Sequence, residues 1–452
     1  MKKFEYDKNT CFCFLGIGGI GMSGLAEYLY LKKYKVVGFD AAFSEQTERL
    51  RKIGVEVYKS QEEKNRLEIV SRSNVVVYTD AISVEDELMA YAIRLNKVIL
   101  SRAQLLSEVI KQFPASVAVA GSHGKTTCSA MCAHILKSVN VPFTAFIGGI
   151  DGELGNFYMS GDEFVITEAC EYKKNVLKIQ AQSAVLLNID ADHMECYKDE
   201  NDLIATFQAY CNHSERAFVC ADNTKCLSLG DFSTFGIEYP LADYRAANVV
   251  QSGEKYRFTI YEYGKELCRV CLQSVGFCNI YNALAAFSVM RSYGFNENEI
   301  AKGLEDFKAV KRRFEEIGRY KRSSFICDYA HHPKELRSTI KTAEYICRGK
   351  LYVVFQPHTY SRTKLLMQDF VEVLREVQAP IIYKTYSARE YYDEEGAAKT
   401  LADNVGGCLY FETSKELKLW IKRTVKEGDT VLFLGAGDIY FVAKKVLSEL
   451  NK

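Results

Sequence analysis

A glycine-rich segment in the first third of the chain, GSHGKTT at 121–127, has the composition of a phosphate-binding loop. Gly121 opens the turn, Lys125 is placed to reach the β- and γ-phosphates of a nucleoside triphosphate, and the Thr126 hydroxyl is placed to ligate Mg²⁺. The full pattern has a further glycine six residues before the lysine, where this chain has Val119. A strand-like segment precedes the loop and a helix-like segment follows it, so backbone N–H groups would face an anion. The segment predicts a nucleoside-triphosphate site, with an ordinary glycine loop as the alternative.

A second glycine-rich segment, GIGGIG at 16–21, lies near the N-terminus. The strand-like segment 11–15 leads into it, and the strand-like segment 35–39 ends at Asp40. In dinucleotide-binding folds such glycines let the backbone approach a pyrophosphate, and an acidic residue about twenty positions on accepts from a ribose hydroxyl. The pattern predicts a nucleotide site, unless the glycines serve only the close packing of a helix on a strand.

Carboxylates and imidazoles follow other strand-like segments. Glu168 follows 163–167, and DADH at 190–193 follows 183–188. Open α/β sheets bind ligands at the carboxyl ends of their strands, so these positions are candidates for catalysis or metal binding. Most of the seven histidines also lie in loop-like positions, namely His123, His193, His331, His332 and His358.

The composition excludes several classes of protein. Lysine plus arginine equals aspartate plus glutamate, 58 each, so no basic face is indicated and nucleic acid is not an expected partner. No export signal or membrane-spanning segment is recognisable, so we expect a cytoplasmic protein without membrane insertion. The fifteen cysteines are then expected to be reduced thiols rather than disulfides.

The elements that must position these residues alternate between strand-like and helix-like segments, which predicts an α/β fold with parallel sheets. We expect three domains: a Rossmann-like domain at 1–113, a central P-loop ATPase-type domain at 114–318 and a Rossmann-like C-terminal domain at 319–452. Two nucleotide-like sites in one chain are explained if the first holds a nucleotide-carrying substrate and the second holds ATP.

The chain resembles the Mur ligases of peptidoglycan synthesis nearly from end to end. The resemblance rests on motifs that occur in the family's order: FLGIGGIGMSGLAEYL (14–29), GSHGKTT (121–127), TEACEY (167–172), NIDADHMECY (188–197), NIYNALAAF (279–287), RRFEEIG (312–318), DYAHHPKEL (328–336) and QPHTYSRT (356–363). Within the family, the chain most closely resembles the member that joins L-alanine to UDP-N-acetylmuramate.

The resemblance implies an ATP- and Mg²⁺-dependent amide ligase, in which a carboxylate attacks the γ-phosphate and an amine displaces phosphate from the acyl phosphate. By motif match, the metal ligands would be Thr126, Glu168 and His193. ATP would be bound by Gly121, Ser122, His123, Gly124, Lys125, Thr126, Thr127, Asn279, Asn282, Arg313, Asp328 and His331. The UDP substrate would be bound by Gly16, Gly18, Gly19, Gly21 and Asp40. The amino acid would be bound by Tyr329, His358 and Arg362, and the catalytic residues would be Lys125, Glu168, His193, His358 and Arg362.

Some positions depart from the family pattern: Lys173 changes the charge after Glu168, Cys278 replaces a frequent histidine, and SARE at 387–390 replaces a glycine-containing sequence. The partners implied are UDP-N-acetylmuramate and L-alanine, with a monomer or weak homo-oligomer. A ligase that salvages whole murein peptides is the alternative in the same chemistry, and an NAD(P)-dependent oxidoreductase is the alternative from another class. The third domain is expected to close over the site about a hinge at 318–321.

Overall fold

The computed structural model describes residues 6–191, 194–253, 255–388 and 390–452. The chain forms two compact units. The first consists of the chain up to Val249 with Arg257–Leu272 and Tyr281–Phe307, and the second consists of Val250–Tyr256, Gln273–Ile280 and Lys308–Lys452.

The N-terminal part of the first unit is a five-stranded parallel sheet with the order β3-β2-β1-β4-β5. Its glycine segment joins β1 to α1, as the sequence predicts. The elements are β1 Cys11–Leu15, α1 Ile20–Leu31, β2 Lys35–Asp40, α2 Glu45–Ile53, β3 Glu56–Lys59, α3 Arg66–Arg72, β4 Val75–Tyr78, α4 Glu87–Arg94, β5 Val98–Ser101 and α5 Arg102–Ile110.

A ten-stranded sheet follows, with the order β15-β14-β13-β12-β11-β10-β6-β9-β7-β8. β6 is an interior strand of this sheet, between β10 and β9, and its sequence ASVAVA is buried throughout. The elements are β6 Ala115–Ala120, α6 Lys125–Ser138, β7 Phe143–Asp151, β8 Gly155–Met159, β9 Phe164–Glu168, β10 Ser183–Leu186, α7 Glu200–Asn212, β11 Arg216–Cys220, α8 Thr224–Leu227, β12 Ser233–Gly236, β13 Tyr244–Ser252, β14 Lys255–Glu262, β15 Lys265–Leu272, α9 Cys278–Ser292 and α10 Glu297–Asp306.

The third sheet has six strands in the order β16-β17-β21-β18-β19-β20, in which β16 is antiparallel to β17 and the other described pairs are parallel. The elements are β16 Glu315–Tyr320, β17 Ser323–Asp328, α11 Pro333–Ile346, β18 Leu351–Phe355, α12 Tyr360–Leu365, α13 Met367–Arg375, β19 Pro380–Tyr383, α14 Ala398–Val405, β20 Leu409–Phe411, α15 Ser414–Thr424, β21 Thr430–Leu434 and α16 Ile439–Leu450. Short 3₁₀ helices occur at Tyr172–Lys178, Met194–Cys196 and Glu394–Gly396.

Three successive α/β parts confirm the predicted fold class. The boundary predicted after residue 318 falls inside β16, and both domain boundaries stay predictions. The hinge expected at 318–321 is wrong, because Gly318 and Tyr320 pair with β17 and so belong to the third sheet. The sequence did not reveal β16, whose charged and half-exposed residues lack the apolar run of an interior strand.

Candidate functional site

The phosphate loop lies at the carboxyl end of β6, between two neighbouring parallel strands. β6 pairs with β9, where Val119 is opposite Glu168, and with β10, where Ala120 is opposite Leu186. The loops that follow the three strands therefore start at the same edge of the sheet. This register brings Glu168, Asn188 and Asp190 to the phosphate loop, as the sequence predicts.

Two glycines shape the loop. Gly121 has φ of 131°, and a Cβ there would lie 3.1 Å from the backbone nitrogen of Asn188. Gly124 has φ of 87°, and a Cβ there would lie 2.4 Å from Oδ1 of Asn282. Other residues rarely adopt this left-handed conformation, so both positions need glycine. The backbone turns directly into α6, whose first residue is Lys125.

Side chains from the loop after β10 hold the phosphate loop in place. Asn188 accepts from the backbone N–H of His123 at 2.8 Å and donates to the His123 carbonyl at 3.1 Å. Ser122 donates through Oγ to the Asp190 carbonyl at 3.0 Å and accepts from the Asp190 N–H at 2.9 Å. The His123 Nε2 lies 3.4 Å from Oδ2 of Asp190. Residues at both loops therefore have a structural role in addition to any contact with a ligand.

Lys125 forms a buried ion pair that the sequence did not predict. Its Nζ lies 3.0 and 2.9 Å from the two carboxylate oxygens of Glu171, whose side chain is 2% exposed. The ammonium also donates to the carbonyls of Gly121 and Ser122, at 2.5 and 3.2 Å. Burial disfavours the charged lysine, but the Glu171 carboxylate outweighs it and raises the lysine pKa. The lysine is therefore charged at neutral pH and is positioned at the loop.

The Glu168 carboxylate is fixed from the side of β7. The backbone N–H of Gly148 donates to Oε1 at 2.6 Å, and the Ser129 hydroxyl donates to the same oxygen at 3.4 Å. A Cβ at Gly148 would lie 2.4 and 2.5 Å from the two carboxylate oxygens. Glycine at 148 is therefore needed for this arrangement. Carboxylate oxygen and a threonine hydroxyl are ligands that suit Mg²⁺, and Thr126 lies in the first turn of α6.

Three further residues that the family resemblance assigns to the ATP site lie on helices of this part of the chain. Asn279 and Asn282 both lie on α9, and Thr127 is buried in α6. His193 lies outside the described residues. Among the described residues, no group of three or more His, Cys, Asp or Glu side chains forms a metal site.

The N-terminal glycine segment is held by Asp40. Oδ2 of this residue accepts from the Gly18 N–H at 2.8 Å. Gly16 has φ of 82°, and a Cβ there would lie 2.7 Å from Cγ2 of Thr79. Gly19 is the N-cap of α1, and Gly21 is its second residue. The predicted substrate-binding glycines therefore surround the N-terminus of a helix, where an anion is favoured.

In the second compact unit, His358 and Arg362, which the family resemblance assigns to the amino-acid site, are in contact. Nη1 of Arg362 lies 3.2 Å from Nδ1 of His358 and donates to its carbonyl at 2.8 Å. The His358 ring stacks on Tyr386 with centroids 5.4 Å apart. Burial, reinforced by the Arg362 charge, lowers the His358 pKa to about 4. The imidazole is therefore neutral at physiological pH.

Glu390 is an acidic neighbour of the same segment. Its carboxylate accepts from the Thr359 hydroxyl at 2.6 Å and from the Ser361 N–H at 2.8 Å. Burial opposes ionisation, but the hydrogen bonds from Ser361 and Thr359 outweigh it and lower the pKa of Glu390. The sequence SARE at 387–390 departs from the family pattern, but its Glu390 carboxylate fixes the start of α12.

A second group in this unit surrounds the end of β17. Asp328 accepts from the N–H groups of Phe314 and Ala330, both at 2.7 Å, and burial raises its pKa. The guanidinium of Arg313 lies 4.9 Å from the Tyr329 ring centroid. The rings of His331 and His358 are 6.1 Å apart. The predicted residues Asp328, Arg313, Tyr329, His331 and His358 therefore belong to one edge of the third sheet.

Sequence reasoning missed four residues with defined positions. Glu171 and Gly148 hold Lys125 and Glu168, while Arg102 lines a cleft that Glu168 also lines. Arg312 donates to the carbonyls of Ala436 and Gly437, at 3.1 and 2.8 Å. The only available signal was position, since Glu171 follows Glu168 closely, Arg102 follows β5, and Arg312 precedes an assigned arginine.

The fold and site define an α/β protein of the phosphate-loop class, with a Rossmann-type sheet before the phosphate-loop sheet and a third sheet after it. Three family models match consecutive parts of the chain: "Mur ligase family, catalytic domain" at 12–114, "Mur ligase middle domain" at 119–290 and "Mur ligase, glutamate ligase domain" at 312–437. The chain belongs to the Mur ligase family.

Individual relatives are similar over almost the whole chain. The UDP-N-acetylmuramate–L-alanine ligase of Clostridium beijerinckii is 34% identical over 98% of this chain and 99% of its own. The ligase of the same name from Clostridium kluyveri is 35% identical, with 99% and 100% coverage.

Solved structures of the family have the same fold. The UDP-N-acetylmuramate–alanine ligase of Thermotoga maritima has a TM-score of 0.84 at 26% identity, covering 98% of this chain and 99% of its own. A murein peptide ligase from Psychrobacter arcticus shares the fold with a TM-score of 0.75 at 19% identity, with the same coverage. No helix in the described ranges is long and apolar enough to cross a bilayer.

Proposed function

We propose that this protein joins L-alanine to the carboxyl group of UDP-N-acetylmuramate, with cleavage of ATP to ADP and phosphate, in peptidoglycan precursor synthesis. This proposal rests on the phosphate loop with Glu168 fixed beside it. It is supported by relatives of the same length that are named UDP-N-acetylmuramate–L-alanine ligase. The bond formed is an amide, and the oxygen lost from the carboxylate leaves with the phosphate.

The chain's own residues are assigned as follows. Lys125 and the N–H groups of 121–126 bind the ATP phosphates, and Thr126, Glu168 and His193 bind Mg²⁺, which neutralises phosphate charge when bound. Asn279, Asn282, Arg313, Asp328 and His331 complete the ATP site. Gly16, Gly18, Gly19, Gly21 and Asp40 bind the uridine diphosphate, and Tyr329, His358 and Arg362 bind the amino acid. In this proposal the domain at 1–113 binds the UDP substrate, the domain at 114–318 binds ATP, and the domain at 319–452 binds the amino acid and closes over the ATP.

Substrate choice is tested by measuring ADP release with UDP-N-acetylmuramate, Mg²⁺, ATP and a panel of amino acids and peptides. We expect release with L-alanine and a product heavier by one alanyl residue. Release with a murein tripeptide but not with free alanine would instead identify the peptide-salvaging activity. Turnover that needs NAD(P) rather than ATP would contradict the proposal.

Lys125→Ala and His193→Ala test the assignment of the site. Removal of one cation or one metal ligand from a transition state that depends on charge neutralisation lowers turnover by on the order of 10²–10³. Lys137→Ala, in the last turn of the same helix and partly exposed, is the matched control and should retain turnover. A variant at 125 or 193 that keeps more than about a tenth of wild-type turnover would contradict its assigned role.

A further inference from the structure

A cleft of about 180 Å³ in the first compact unit is lined in part by Arg102, which is not among the predicted site residues. Its lining includes Gly21, Gly24, Arg102, Asn156 and Glu168. Asn156 donates to the carbonyl of Ile20 at 2.7 Å, which ties β8 to the start of α1. The cleft therefore connects the N-terminal glycine segment to the carboxylate beside the phosphate loop.

Local structure directs Arg102 into this cleft. Ser101 and Gln104 form a capping box, with hydrogen bonds of 3.3 and 2.8 Å, so α5 begins at Arg102. A Cβ at Gly21 would lie 3.1 Å from Cδ and 3.3 Å from Nη1 of Arg102. The missing side chain at Gly21 thus leaves the space that the arginine occupies.

The guanidinium is half-buried, and within the described part of the chain it makes no hydrogen bond and no salt bridge. Other arginines at similar depth have partners: Arg216 donates to the Ser292 carbonyl at 3.0 Å, and Arg49 pairs with Glu27. A guanidinium carries five N–H donors, and withdrawing a charge from water is unfavourable unless it is paired. Arg102 is therefore prepared for an anion that comes from outside the chain.

We infer that Arg102 binds the carboxylate of the acid substrate, the lactyl carboxylate of UDP-N-acetylmuramate. The planar guanidinium matches a carboxylate through two parallel hydrogen bonds. Among the described side chains that line the cleft, Glu168 is the one carboxylate, and it already accepts from Gly148 and Ser129. Arg102 and Glu168 line the same cleft, and Glu168 lies opposite Val119, two residues before the phosphate loop, so a carboxylate bound by Arg102 would lie in the cleft that reaches this edge of the sheet. This inference rests on the proposed function. It adds a residue by which the protein would distinguish UDP-N-acetylmuramate from a sugar nucleotide without a carboxylate.

The test is calorimetric binding of UDP-N-acetylmuramate and of UDP-N-acetylglucosamine, which lacks the whole lactyl group and with it the carboxylate, in the presence of Mg²⁺. For Arg102→Gln we expect the affinity for UDP-N-acetylmuramate to fall about 10- to 100-fold, as for a lost charged hydrogen bond, with unchanged affinity for UDP-N-acetylglucosamine. Arg94→Gln, at the end of α4, is the matched control and should bind both ligands as the wild type does. Unchanged ATP binding by Arg102→Gln will show that the variant is folded.

The outcomes separate this inference from the proposed function. An equal loss for both sugar nucleotides would overturn it, since Arg102 would then bind the diphosphate. Unchanged affinity for UDP-N-acetylmuramate would overturn it as well. If wild-type protein bound neither sugar nucleotide, the proposed function itself would fail.

Discussion

At the scale of single residues, each of two charged side chains beside the phosphate loop is held by a specific partner: Glu171 pairs with Lys125, and the Gly148 N–H donates to Glu168. Lys125 and Glu168 lie at one edge of a sheet, as their positions after strands predict. Their partners, Glu171 and Gly148, were not predictable, because the first depends on the path of the chain after β9 and the second on a backbone N–H. Sequence patterns describe side chains, whereas much of this site consists of backbone donors.

His358 should remain neutral over the whole physiological range. Its pKa is lowered to about 4 by burial and by Arg362, against about 6.5 for an unperturbed histidine. The unfolded chain therefore binds more protons between these values, so this residue makes the folded state less stable as pH falls from about 6.5 to 4. Histidine NMR should show no titration of His358 above about pH 5.5, and Arg362→Gln should raise its midpoint. A midpoint near 6.5 in the wild type would contradict the burial argument.

At the scale of elements, the parallel strands were predictable and the antiparallel additions were not. β1 has the predicted bounds and β2 is one residue longer than predicted, because each is a short apolar run that ends at a glycine or a polar residue. The hairpin of β7 and β8 has no comparable signal, although it contributes Gly148 and Asn156 to the site. The position of a functional carboxylate therefore depends on a strand that the motifs do not include.

Gly148→Ala tests this dependence. The new Cβ would approach the Glu168 carboxylate to 2.4 Å, and the end of that side chain can move while the backbone stays in place. We expect normal folding, a higher Mg²⁺ concentration for half-maximal rate, and turnover lower by on the order of 10², as for a misplacement of about 1 Å. Gly152→Ala is the control, because a Cβ there has no heavy atom within 4 Å among the described residues. Equal Mg²⁺ dependence in both variants would show that the Gly148 hydrogen bond is dispensable.

At the scale of the whole molecule, the sequence predicted three domains, and the described residues group into two compact units. The N-terminal and phosphate-loop sheets share the first unit, in which one apolar core includes Leu25 from α1, Phe146 from β7 and Phe157 from β8. Sequence patterns detect each sheet through its own period but contain no signal for a core shared between sheets. This is why the number of sheets was predictable and their grouping was not.

Closure of the C-terminal part over the reactants remains a prediction. An acyl phosphate hydrolyses in water, so a closed state is needed during the reaction and an open one for entry of the sugar nucleotide. Because 318–320 belong to β16, we now expect the hinge before Glu315. X-ray scattering should show a smaller radius of gyration with an ATP analogue, Mg²⁺ and UDP-N-acetylmuramate together than with any one of them. An unchanged profile with binding confirmed would rule closure out.

The grouping of the first two sheets has a consequence for how such enzymes diversify. The sheet with the predicted sugar-nucleotide residues and the sheet with the phosphate loop form one block, because the Asn156 bridge and the shared core join them. The predicted amine-binding residues Tyr329, His358 and Arg362 all lie in the other block. If these assignments hold, recombination near residue 308 would exchange the amine-binding residues, together with Arg313, Asp328 and His331, while the phosphate loop and the N-terminal glycine segment stayed the same. We would then expect a change of acceptor to need no new phosphate loop.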